Sequence, residues 1–140
     1  MGYMVRYYAA GPITAKALQQ ALTALEPALK IDLGELLHGD QSLGQVEVNQ
    51  AQGDLFEDDL RNTIRIVEST GYGAAIVPRL RASRAVVVAD LDWGARGPEA
   101  TMQLVAPLWT ALRQLSPGLA QWDGHGVYDG DQQVVDLRGR

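Results

Sequence analysis

The sequence predicts an α+β fold: two βαββ-like units sharing one mixed or antiparallel sheet, with the helices packed on one face. Three observations predict it. The order strand, helix, strand, strand in the first third of the chain recurs in the last third. The stretch Ala85-Val-Val-Val-Ala89 is an unbroken apolar run of the kind that fills a central strand, buried on both faces. Two helical stripes, Leu18-Leu22-Leu25-Leu29 and Met102-Val105-Trp109-Leu112-Leu115, each require a sheet to cover them. A ferredoxin-like split βαβ core with an added hairpin is the alternative architecture.

The elements follow in order. Met4–Ala9 is rich in β-formers and reads as a strand, broken by Gly11-Pro12. Thr14 is placed to cap a helix that runs to about Leu29, with Pro27 close to its end. Ile31–Leu37 and Gln45–Asn49 read as a hairpin, joined by the turn-rich His38–Gly44. Asp54 and Glu57 resemble a capping box at the start of a helix striped by Leu60, Ile64 and Val67. Pro78 limits residues 74–83 to one or two helical turns. After the Ala85–Leu91 strand, Pro98 and Glu99 suit the first turn of a second long helix. Pro107 inside it predicts a kink or a broken first turn. Leu119–Trp122 is a strand, and Asp129-Gly130 marks a hairpin between Val127-Tyr128 and Val134-Val135.

Sliding the first unit onto the second brings Pro12 to Pro98, and Leu18, Leu22, Leu29 and Leu33 to Leu104, Leu108, Leu115 and Leu119. The expected organisation is one domain over residues 1–137. Its units cover about 3–50 and 84–137, a helical connection spans 54–83, and a tail follows at 138–140.

Composition narrows the function classes. The chain has 140 residues, no Cys and a formal net charge of −5. Disulfides and thiolate metal sites are excluded, which fits a reducing, cytoplasmic setting. No apolar run is long enough to span a membrane, and Met1–Arg6 does not open a secretory leader. The only lysines are Lys16 and Lys30, and the arginines are scattered, so no polyanion-binding patch forms and nucleic acid is not an expected partner. Membrane association is not expected either. The expected partners are a second copy of the chain or another protein, with a small molecule as a further candidate. No motif implies a cofactor.

The chemistry-bearing candidates are few. His38 and His125 each stand two residues from a carboxylate, Asp40 and Asp123. His with Asp can bind a divalent metal or act as a poised general base; beside glycine they also serve as ordinary turn residues. Asp90 and Asp92 close the apolar strand on one face and are the metal-ligand candidates. No phosphate-binding loop, serine elbow or calcium loop is present. All three tryptophans, Trp93, Trp109 and Trp122, fall in the second unit near Tyr128. Trp93, Trp122 and Tyr128 are the candidates for a ligand pocket or interface anchor, while Trp109 reads as packing.

Two functions remain in play. The leading one is a non-enzymatic ligand- or protein-binding or assembly module, a homodimer joined through open sheet edges or aromatic anchors. The alternative is a small hydrolase or lyase that uses His38 and His125 with Asp carboxylates, with metal assistance as an option.

Overall fold

The computed structural model describes residues 2–138. The elements run β1 (Gly2–Ala9), α1 (Ala15–Leu25), β2 (Leu29–Asp32), β3 (Glu35–His38), β4 (Gln41–Gln50), α2 (Asp54–Ser69), a 3₁₀ turn (Ala74–Ile76), α3 (Val77–Arg81), β5 (Ala85–Asp92), a second 3₁₀ turn (Gly94–Arg96), α4 (Gly97–Leu115), β6 (Gly118–Trp122), β7 (Gly126–Asp129) and β8 (Gln132–Asp136). The strands form one sheet in the order β2-β3-β4-β5-β1-β6-β7-β8, antiparallel throughout. The fold class is α+β.

The Ala85–Ala89 run lies at the centre, with β5 paired to β1 on one side and β4 on the other. Its alternation feeds two cores. Val87, Ala89 and Leu91 pack with Leu18 and Leu22 of α1 and Val105, Leu108 and Leu112 of α4. Val86 and Val88 pack with Phe56, Leu60, Ile64 and Val67 of α2 and Leu80 of α3. Helices therefore cover both faces, not the single face expected. A strand apolar on both faces needs a layer on each side.

The βαββ repeat is not reproduced. Leu29 opens β2 instead of ending the helix, because α1 stops at Leu25 just before Pro27. A turn at Leu33-Gly34 then splits the expected Ile31–Leu37 strand into β2 and β3. α1 and α4 are each thus followed by a three-stranded meander. The first meander runs from the sheet edge inward (β2 to β4) and the second from the centre outward (β6 to β8), so the strand order does not repeat. One element of the ferredoxin-like alternative is present: β5-α4-β6 is a split βαβ unit with β1 between its strands.

Local signals fared unevenly. Thr14 Oγ1 accepts the Ala17 N–H at 3.1 Å, as its cap position predicts. At α2 no capping box forms; Gly53 is the N-cap, and Asp54 and Glu57 lie in the first turn, where they complement the dipole. α4 runs unbroken through Pro107. Of the expected 138–140 tail, residues 139 and 140 lie outside the described residues; Arg138 is paired with Asp136 at 2.7 Å.

Side chains engage both sheet edges. On β2, the Ile31 N–H donates to Gln19 Oε1 of α1 at 2.6 Å and the Leu29 N–H to the Glu26 carbonyl at 3.0 Å. On β8, the Tyr72 hydroxyl donates to the Asp136 carbonyl at 2.7 Å and accepts its N–H at 3.2 Å. Groups already bonded are not free to pair with another strand. Among the described residues, no helix is long and apolar enough to cross a membrane.

Candidate functional site

α1 lies against α4 and β2 and covers the first meander, where Leu29, Leu36, Leu43 and Val46 are buried beneath it. The second meander has no such cover on this face. Between the free flank of α4 and strands β1, β6 and β7 there is a cleft of about 490 Å³. Alternation aims Tyr3 and Tyr7 of β1 and Ala120 and Trp122 of β6 into it from the sheet, with Tyr128 of β7 beside them. Ala106, Trp109, Thr110 and Arg113 line it from α4. His125 closes one end, and Gly130 and Asp131 of the β7–β8 turn close the other.

Aromatic rings dominate the walls. Trp109 meets Trp122 edge-on at 5.1 Å, and Trp122 lies 6.3 Å from Tyr3. Tyr3 in turn stacks on Trp93 at 5.4 Å. Gly118 makes room for Tyr7: a Cβ there would sit 2.8 Å from the Tyr7 ring. The Tyr7 hydroxyl donates to the Ser116 carbonyl at 2.6 Å. Burial pushes its pKa up to about 12, with the Arg113 charge pulling down and that of Asp129 pushing up. Tyr3 donates to the Asp123 carbonyl at 3.0 Å, and burial, followed by the charges of Asp123 and Tyr128, raises its pKa. The indole N–H of Trp109 is shielded from solvent and has no acceptor among the described residues. Orphan donors of this kind are rare and cost on the order of 1–3 kcal/mol.

The histidines are not a pair. His38 ends β3 and His125 sits in the β6–β7 turn, with β4, β5, β1 and β6 between them. At about 4.8 Å per strand their separation is on the order of 20 Å, far beyond the reach of shared proton transfer. His125 lines the cleft, with Nδ1 hydrogen-bonded to the Tyr128 hydroxyl at 2.6 Å. Asp123 does not join it. Its carboxylate is held on the opposite face by Arg6 at 3.3 Å, in a network where Arg6 also binds Asp59 and Gln121 at 3.0 Å. Burial opposes the Arg6 charge, yet the Asp59 bond and charge outweigh it and raise the Arg6 pKa. Asp40 is exposed at the β3–β4 turn.

Asp90 is half-buried against Gly2, and Asp92 Oδ1 accepts the Gly94 N–H at 3.1 Å. No group of three or more His, Asp or Glu is placed to hold a metal ion among the described residues. Trp122 and Tyr128 line the cleft, whereas Trp93 stands behind Tyr3. The sequence reading missed Tyr3, Tyr7, Trp109, Arg113 and Asp131. The spacing of Tyr3, Val5 and Tyr7 on one strand face was a usable signal for the first two; the others meet only through the tertiary fold. Comparison with family models, with curated proteins and with solved structures found no match to this chain.

Proposed function

We propose that the protein is a non-enzymatic binding module whose cleft between α4 and the second meander takes a small, flat, largely apolar molecule. One observation carries the reading. The cleft is walled by Tyr3, Tyr7, Trp122 and Tyr128 from the sheet and by Trp109 from the flank of α4, where α4 leaves the second meander open. Specific small-molecule sites combine apolar and aromatic walls with a few polar groups. An exposed aromatic surface without such a role would be a liability. Small-molecule binding is favoured over edge-paired assembly, since the outward groups at Ile31 and Asp136 are already bonded.

A catalytic reading retains only His125 of the two histidines. Tyr128 fixes its Nδ1, which leaves Nε2 for proton transfer, and among the described residues no carboxylate is hydrogen-bonded to the ring. The test of the binding reading is calorimetric titration with a panel of planar aromatic compounds against the native chain and Trp122→Ala. At least one compound should bind, and the variant should weaken it by about tenfold or more, as loss of a central aromatic anchor does. A panel that gives no heat, or a Trp122→Ala variant that binds as tightly as the native chain, sinks the reading.

A further inference from the structure

The cleft is polarised along its length. At one end stand Tyr3, Trp122 and His125, level with the far ends of β5 and β6. At the other end, Arg113 near the C-terminus of α4 faces the cleft together with Asp131 of the β7–β8 turn. Both side chains are exposed, and among the described residues neither forms an ion pair or a hydrogen bond. Asp129, two residues earlier, is already held by Arg79 at 3.0 Å, which leaves Asp131 as the carboxylate on the cleft side of the turn.

We infer that the molecule bound in the cleft is an aromatic α-amino acid: its ring lies between Trp109 and Tyr128, next to the charged end, its carboxylate meets Arg113 and its ammonium meets Asp131. The inference rests on the binding reading of the cleft and names its ligand class. Arginine presents a planar fork of donors that matches a carboxylate in two-point fashion. An ammonium is a compact charge that a single carboxylate satisfies. Two unpaired opposite charges at one mouth also reject ligands that carry only one charge. Asp131 repels a simple acid, and Arg113 repels a simple amine.

The experiment is calorimetric titration of the full chain at neutral pH with four probes that share a phenyl ring. These are L-phenylalanine, 3-phenylpropionate, phenethylamine and the neutral 3-phenylpropanol. L-Phenylalanine should bind about tenfold or more tighter than each of the others. Arg113→Gln should weaken L-phenylalanine by about tenfold and improve phenethylamine relative to it; Asp131→Asn should do the converse with 3-phenylpropionate. Both residues are exposed, and circular dichroism should show both variants folded. If phenylpropanol or either singly charged probe binds as tightly as L-phenylalanine, the amino-acid inference falls while the cleft reading stands. If neither L-phenylalanine nor any of the planar aromatic panel binds, both fall.

Discussion

The two three-stranded meanders each leave one face uncovered, and the two uncovered faces differ in chemistry. α1 covers β2–β4 on one side, and their other side presents Lys30, Gln45 and Glu47 to solvent. α2 covers β6–β8 through Val127, Val135 and Leu137, and their other side presents Ala120, Trp122 and Tyr128 to a cleft. No helix lies over either face, although α4 flanks the second, so exposure alone does not mark a site. The contrast between a polar face and an aromatic one does, because an open sheet face that serves only as surface has no use for tryptophan.

The contrast can be broken first in the covered half. Leu36 is fully buried beneath α1. Leu36→Ala should cost about 2–5 kcal/mol of stability and leave any ligand affinity of the folded protein unchanged, read by urea unfolding and calorimetry. A matched loss of affinity would mean that the two meanders are not independent. Gly118→Ala should cost less, about 1–3 kcal/mol, because the added methyl drives into the Tyr7 ring and the Tyr8 carbonyl. It should also disturb the cleft, where Leu36→Ala does not.

Alkaline pH sharpens the same contrast, because the buried tyrosines belong to β1 beside the second meander. Tyr7 titrates near 12 in the folded chain against about 10 unfolded, and burial raises the Tyr8 pKa as well. A folded pKa above the unfolded one means that the unfolded chain loses its proton first. The stability these groups contribute is complete below pH 10 and declines as pH rises toward 12. The urea midpoint should therefore fall between pH 10 and 11.5, less steeply in Tyr7→Phe. Equal slopes would contradict the buried placement of that hydroxyl. The smallest effect is expected at Glu47, exposed on the polar face, where Glu47→Gln should change stability by no more than about 0.5 kcal/mol and leave binding untouched.

Much of this architecture was legible in the residues, and the misses have physical causes. The Ala85–Ala89 run and the Thr14 cap each carry a local signal strong enough to survive folding, and the hairpin expected at Asp129-Gly130 forms one residue later, with Gly130 and Asp131 as its loop. The end of α1 was obscured because Leu29 continues a helical leucine spacing, although Pro27 had already closed the helix. The Leu33-Gly34 turn was hidden because leucine rarely adopts the positive φ of 49° found there. The two-faced helix cover was legible but unread: a strand apolar on both sides already demanded it. In the cleft, Trp122 and Tyr128 could be suspected from their crowding in the sequence. Trp109 could not be told from a core residue, since its helix stripe is continuous with buried Val105 and Leu112. Arg113 and Asp131 carry no local signal; only the return of β7 and β8 beside α4 brings them to one mouth.

The most direct measurement is a two-dimensional ¹H–¹⁵N spectrum of the labelled protein, titrated with a planar aromatic compound that calorimetry has shown to bind. The indole N–H signals of Trp109 and Trp122 should shift with the same dissociation constant, while the amides of Gln45 and Glu47 stay in place. Shifts that gather on the first meander, or a bound compound that moves neither indole, would contradict the aromatic cleft as the site.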